Sequence, residues 1–262
     1  MSFSKPDPDP QFQDMTEARR QRYSRHILLD EIGVEGQARI AAAHVLLVGV
    51  GGLGSPASLY LASAGVGHIT LADGDTVDLS NLQRQVLHTQ ARIGQWKAVS
   101  GKAALVQINP EIVIETVTER LSAQRLAEAV ARADIILACC DNFATRHELN
   151  QLCLTLRKPL VNGAVNGFGG QLSVFDFRRE DSPCYHCLFP EGEGEGEETL
   201  SPGVFAPLVG MIGTMQAAET LKLILGIGQP LTGRLLLLDA LRMEWRNVRF
   251  GKDPGCAVCA LR

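Results

Sequence analysis

Residues 44–54, His44-Val-Leu-Leu-Val48 followed by Gly49-Val-Gly51-Gly52-Leu-Gly54, constrain this chain more than any other stretch. An apolar run of this length, closed by a G-x-G-x-x-G turn, reads as a buried strand that feeds straight into a helix. Such a turn offers backbone N–H groups and a positive helix end to a phosphate. A second apolar run, His68–Ala72, ends in Asp73, roughly 20 residues on, where a carboxylate can accept from ribose hydroxyls. The pattern therefore predicts a nucleotide-binding α/β fold. By itself it leaves the nucleotide open, and NAD suits it as well as ATP does.

The same alternation continues downstream. Residues 15–43 read as helix with one break near Gly33, 52–64 as helix, 94–108 as helix and 112–117 as strand. Helices over 123–131 and 144–156 flank a strand over 134–139, and a short strand over 159–161 precedes a glycine-rich turn. Strands and helices in this order predict a Rossmann-like, doubly wound, mainly parallel sheet. After Gly163 the character changes. Gly170–Phe177 alternates as a strand with one wet face, 205–225 has the length and period of a buried helix, and 234–239 with 243–250 form a closing antiparallel pair. Met211 and Met215 on the long helix read as core filler. The expected organisation is a flexible tail over 1–14 and a single domain over 15–262. Its nucleotide-binding half spans about 15–163 and its antiparallel half about 164–262.

Composition narrows the partners. The chain has 262 residues and a formal net charge of −4, without the basic footprint of a nucleic-acid binder. No apolar stretch is expected to reach the roughly 20 uninterrupted residues of a membrane span. No signal-like segment opens the chain, so the seven cysteines read as metal ligands or free thiols in a cytoplasmic protein.

Two constellations carry the chemistry. The first, Asp73-Gly-Asp75-Thr-Val-Asp78-Leu-Ser-Asn81-Leu-Gln-Arg84-Gln85, places carboxylates, an amide and a cation directly after the ribose-binding position, with Lys97 to follow. Around a triphosphate this set makes sense: Arg84 and Lys97 neutralise phosphate oxygens and a carboxylate holds Mg²⁺. A hydride-transferring enzyme has no evident use for it. The second is the pair Cys184-x-x-Cys187 and Cys256-x-x-Cys259. Four thiolates with two-residue spacers suit a tetrahedral Zn²⁺ that would clip the C-terminal end onto a distant hairpin, although a lone CxxC is also a redox motif. His186, inside the first spacer, is expected to face solvent.

Together, GVGGLGSPASLYLASAGVG, DGDTVDLSNLQRQ, Cys140-Asp141-Asn142 and the paired CxxC resemble the adenylating enzymes of the ubiquitin-activating superfamily. Within it, the chain is similar to the bacterial enzymes that activate sulfur-carrier proteins for molybdopterin and thiamine biosynthesis. The resemblance runs from about Arg22 to Cys259. It implies ATP as substrate, with Gly49, Gly51, Gly52, Gly54, Asp73, Asp75 and Asn142 around the nucleotide and Asn81, Arg84 and Lys97 on phosphates. It further implies Mg²⁺ on Asp141, structural Zn²⁺ on the four cysteines, and a homodimer in which Arg25 reaches the neighbouring subunit's ATP. The implied partner is a ubiquitin-like sulfur carrier ending in Gly-Gly, with a sulfur-donor protein acting after it.

Three departures from the family pattern stand out. Its mobile-loop cysteine is absent near Thr199, Trp96 replaces a usual proline before Lys97, and Ala138 stands where an acid is common. Without the loop cysteine, no covalent thioester or persulfide step is expected. An acidic tract, Glu191–Glu198, lies in the same loop and reads either as a gate or as an inert crossing. Competing readings are an NAD-dependent oxidoreductase and a non-catalytic, zinc-clipped scaffold for ubiquitin-like proteins.

Overall fold

The computed structural model describes residues 15–191 and 203–260. The 1–14 tail, Thr199 and the acidic tract beyond Glu191 lie outside the described residues. Eight strands form one sheet in the order β3-β2-β1-β4-β5-β6-β7-β8. The first five, β1 (His44–Val48), β2 (His68–Ala72), β3 (Val113–Val117), β4 (Ile135–Ala138) and β5 (Pro159–Asn166), pair in parallel. The last three, β6 (Gly169–Asp176), β7 (Arg234–Asp239) and β8 (Glu244–Arg249), continue it antiparallel. This is the doubly wound architecture expected, with its antiparallel extension. The 163/164 division falls inside β5, so the sheet crosses it without interruption.

Alternation along the strands sorts side chains onto two apolar layers. Val45 and Leu47 of β1, Ile135 and Leu137 of β4, and Leu172 and Val174 of β6 enter one core. Leu46, Ile136, Leu160 and Phe175 enter the other. The first layer is covered by α3 (Gly33–Ala42), α4 (Gly54–Ala64), α5 (Lys97–Ile108) and α9 (Ala206–Leu225). The second is covered by α6 (Ala123–Arg132), α7 (Phe143–Thr155) and the short α8 (Tyr185–Leu188), together with the four cysteines. Met211 and Met215 pack against the first core.

Helix α9 corrects one expectation: its 20 residues are long and apolar enough to cross a membrane by length and composition. Here it is an internal element that crosses the start of α4 so closely that a Cβ on Gly213 would lie 2.3 Å from the Leu53 carbonyl oxygen. The N-terminal segment is three helices rather than one broken one: α1 (Glu17–Arg22), α2 (Ser24–Ile27) and α3. Tyr23 anchors them. Its hydroxyl accepts from Asn109 Nδ2 at 2.8 Å, and its ring fills the space beside Gly65, at the C-terminal end of α4.

Two further strand and helix limits differ from the sequence reading. Helix α5 starts at Lys97, not Gly94, because Gly94 takes φ +85° and Trp96 bridges to Thr76. Strand β5 runs to Asn166 through its glycine and then turns back through Gly167. The φ of +56° at Gly167 suits the first central position of a two-residue hairpin.

Candidate functional site

A cleft of about 810 Å³ opens at the carboxyl ends of β1, β2 and β4. The chain leaves β1 for β2 on one side and reaches β4 on the other, which is where an open parallel sheet binds ligands. The glycine turn forms its floor. Gly49 has φ +99°, and a Cβ there would lie 2.6 Å from the Cys139 carbonyl oxygen. A Cβ on Gly54 would meet the Gly49 carbonyl oxygen at 2.1 Å, whereas one on Gly51 would meet only the Gln85 side chain at 3.4 Å. The three positions are thus unequal: two need glycine for the turn itself, and the third leaves backbone open to a ligand.

Polar side chains brace this turn from below. Asp73 Oδ2 accepts from Val50 N at 2.8 Å and its Oδ1 from Asp75 N at 2.9 Å, so this carboxylate ties the β1 turn to the β2 turn. His88 Nε2 lies 3.0 Å from the Val50 carbonyl, which can only accept, so Nε2 carries the proton. Its Nδ1 then accepts from the Ser100 hydroxyl at 2.9 Å. Burial lowers the His88 pKa below the ordinary 6.5, in keeping with a neutral brace.

Of the residues singled out from sequence, Gly49, Gly51, Gly52, Asp73 and Asp75 line the cleft, and so do Arg84, Lys97, Asp141 and Asn142. Lys97 is buried at the first position of α5, and its Nζ sits 2.9 Å from Asp75 Oδ2. A buried ammonium is costly without a counter-charge, and the largely exposed Asp75 supplies one that a ligand phosphate can replace. Arg84 Nη1 donates to the Ser80 carbonyl at 3.0 Å. Asp141 follows β4 at an exposed position, and Asn142 caps α7 by accepting from Thr145 N at 2.9 Å.

Three assigned residues sit elsewhere. Gly54 lies beneath the cleft at the start of α4. Asn81 Oδ1 accepts from Asp78 N at 3.1 Å in a capping box and does not line the cleft. Arg25 borders a separate cavity of about 310 Å³ with Tyr23, Tyr60 and Thr214. Sequence reasoning missed Gln85, Glu119, Arg120, Arg146 and Glu148, all of which line the cleft. No histidine does. Cys139 is buried and Cys140 half-buried, and desolvation raises both thiols, so neither is a ready nucleophile.

The second constellation gathers behind α7. The sulfurs of Cys184, Cys187, Cys256 and Cys259 all lie within 4.8 Å of one another. Three separations are 3.8, 3.7 and 3.4 Å. A zinc tetrahedron with bonds near 2.3 Å has edges of about 3.8 Å, so the four sulfurs fit it. Burial pushes the Cys184 thiol up to about 12, so holding it as a thiolate calls for a cation beside it. The expectation for His186 is corrected: its ring is half-buried, with Nδ1 3.6 Å from Cys256 Sγ, as a donor to a metal-bound sulfur would be.

A profile of the ThiF family matches residues 23–258. The sulfur carrier protein ThiS adenylyltransferase of Escherichia coli K12 is 46% identical over 238 residues, covering 91% of this chain and 94% of the relative. The molybdopterin-synthase adenylyltransferase of the same organism is 44% identical over 238 residues, covering 91% and 95%. The SAMP-activating enzyme E1 of Haloferax volcanii is 43% identical, covering 91% and 88%. Among solved structures, E. coli MccB with AMPCPP and SeMet MccA shares the fold, with a TM-score of 0.81 at 24% identity over 95% of this chain and 76% of that one. Sequence and fold agree over nearly the whole length, and the chain belongs to the ThiF family.

Proposed function

We propose that this protein is an ATP-dependent adenylyltransferase that activates the C-terminal glycine carboxylate of a ubiquitin-like sulfur carrier. The observation that carries the reading is the 44–46% identity, over 91% of the chain, to adenylyltransferases named for sulfur-carrier activation. The same comparison gives no support to an oxidoreductase or to an inert scaffold.

The chemistry follows from the charges. The tail carboxylate has an ordinary pKa near 3.5 and is already ionised at neutral pH, so it needs no general base. A cleft without a histidine suits that requirement. One carboxylate oxygen attacks the α-phosphorus, the bond to the bridging oxygen breaks, and pyrophosphate leaves with that electron pair. The obstacle is repulsion: at 4 Å two like unit charges oppose each other by about 4 kcal/mol at an effective dielectric of 20. Arg84 and Lys97 offset it, with Lys97 released from Asp75 to the phosphates. Asp73 meets the ribose through its remaining lone pairs, and Asn81 contributes once the nucleotide is bound. Asp141, a hard oxygen donor at the cleft wall, would hold Mg²⁺, which supplies further charge neutralisation on the phosphates. Arg25 borders a separate cavity and not its own cleft, and so would serve a second copy's ATP in a homodimer. The four cysteines would hold zinc as a structural clip. The acyl-adenylate then passes to a sulfur nucleophile provided by another protein.

The test is exchange of labelled pyrophosphate into ATP. Exchange should appear only when a carrier ending in Gly-Gly is supplied. Offering purified thiamine-type and molybdopterin-type carriers separately, and weighing the adenylated tail, identifies the partner. Tight NADH binding with no response to ATP would overturn the reading.

A further inference from the structure

Pairing between β4 and β5 stops at Ala138↔Asn162, and beyond it the two strands diverge to open the cleft wall that carries Asp141. Strands that part leave carbonyl groups without ladder partners, and such groups need donors from elsewhere. Two buried side chains donate to carbonyls at this end of the two strands, from opposite faces of the sheet. From α7, Arg146 Nη2 donates to the carbonyl of Cys140 at 2.7 Å and to that of Gly163 at 3.3 Å. From α9, Gln216 Nε2 donates to the carbonyls of Ala138 at 3.0 Å and Val161 at 3.3 Å. Gln216 therefore bridges β4 to β5 at the last paired positions, and Arg146 bridges the segment just after β4 to β5 one step beyond them.

The orientation of the Gln216 amide is fixed chemically. Carbonyls accept, so Nε2 must face them, and Oε1 is left 3.6 Å from Cys139 Sγ. Burial raises the Cys139 pKa, so the thiol keeps its proton and donates it to Oε1. Gly163 is the third part of the arrangement. A Cβ there would lie 2.6 Å from Gln216 Cδ, so only glycine lets the amide reach both strands. Arg146 and Gln216 are nine-tenths or more buried, and no carboxylate among the described residues forms an ion pair with Arg146. A guanidinium spent on carbonyls in this way is costly unless the geometry it fixes is needed.

We propose that Arg146 and Gln216 are positioning residues that set the separation of β4 from β5 and thereby aim the Asp141 carboxylate into the cleft. The inference rests on the proposed adenylation and on Asp141 as the magnesium ligand. Arg146 fixes the carbonyl of the residue immediately before Asp141, and the residue after it, Asn142, is itself fixed by accepting from Thr145 N as the cap of α7. Gln216 fixes the strand end two residues upstream of Cys140. A displacement of about 1 Å at a reacting group costs up to 10²-fold in rate, so slackening the clamp should be visible in turnover.

The experiment compares Arg146→Lys, Gln216→Met and Gly163→Ala with Asp141→Ala and the unaltered protein in carrier-dependent pyrophosphate exchange. Half-maximal Mg²⁺ concentration, ATP affinity in EDTA and thermal midpoint are measured on each. Arg146→Lys keeps the charge but loses the forked donor. Gly163→Ala keeps every donor and displaces Gln216. We expect about 10- to 100-fold lower exchange at saturating ATP. A several-fold rise in the Mg²⁺ requirement should accompany it, with metal-free ATP affinity within about twofold. Loss of thermal stability with rate and Mg²⁺ requirement unchanged in the folded variants would overturn the inference. Full activity of Asp141→Ala would overturn it too, while leaving adenylation intact. Absence of exchange in the unaltered protein with either carrier would instead defeat the proposed function, and the inference with it.

Discussion

The nucleotide turn and the cysteine cluster are built on opposite terms. The turn is one contiguous stretch whose shape is fixed by backbone meeting backbone, with Gly49 and Gly54 pressed against carbonyl oxygens. The cluster joins residues from the β6–α9 connection and the segment after β8, held by side chains that have no mutual attraction until a cation arrives. A site of the first kind tolerates almost no added atom and needs no ligand to exist. A site of the second kind tolerates sequence change nearby but depends on its metal.

Breaking the cluster should give the larger effect. Structural zinc is bound by small peptides with about 10–16 kcal/mol, and with zinc on these cysteines a part of that would become folding energy. Cys256→Ser, or chelation of the unaltered protein, should therefore release one zinc per chain and destabilise it by several kcal/mol, read by metal analysis and urea unfolding. Gly54→Ala comes next. Its Cβ would meet a carbonyl oxygen that cannot retreat without reshaping the turn, and a cost of about 3 kcal/mol or more is expected in the same unfolding assay. Lys97→Met should leave the fold standing and reduce pyrophosphate exchange by roughly 10²–10³-fold, the scale for removing one preorganised charge from a transition state.

A pH titration sharpens the contrast further. Burial holds His88 and His44 below the ordinary 6.5, so the unfolded chain takes up these protons before the native one does. Their contribution to stability is complete above about pH 6.5 and is lost as the pH falls from there through the lower native values. The urea midpoint should decline from pH 7 to 5, and His88→Asn should flatten part of the decline. The smallest effect is reserved for Gly51→Ala, which meets only the Gln85 side chain, at 3.4 Å and beyond, and should cost under about 1 kcal/mol of stability. If it costs as much as Gly54→Ala, the steric account of the turn is wrong.

What could be read from sequence follows the same divide. Gly49, Asp73 and Asp75 lie within a few residues of strand ends, and Arg84 and Lys97 follow in the connection from β2 to the start of α5, so local pattern gathers them at one edge of the sheet. The four cysteines were legible because two-residue spacers have a chemical meaning independent of fold. Arg146 and Gln216 were not. Their role is to satisfy main-chain carbonyls at a place where two strands part, and nothing in a one-dimensional string marks that place. A faint signal existed in Gln216, a lone amide in the apolar run of α9. Strand β5 was read too short because Gly163 resembles a turn residue until the amide filling its Cβ space is seen. Helix α5 was read too long because Gly94 to Trp96 continue its polarity but not its backbone. Asn81 and Arg25 show the remaining gap, since motif membership says nothing about which way a side chain faces in the free protein.

Strand β5 is bonded to a parallel neighbour on one edge and an antiparallel one on the other. No hinge can therefore run between the nucleotide-binding strands and the strands that lead to the cysteines without tearing main-chain bonds. Catalytic cycling must then be confined to loops and side chains above a stiff floor. Cutting the chain near position 163 should yield two insoluble fragments rather than two working modules.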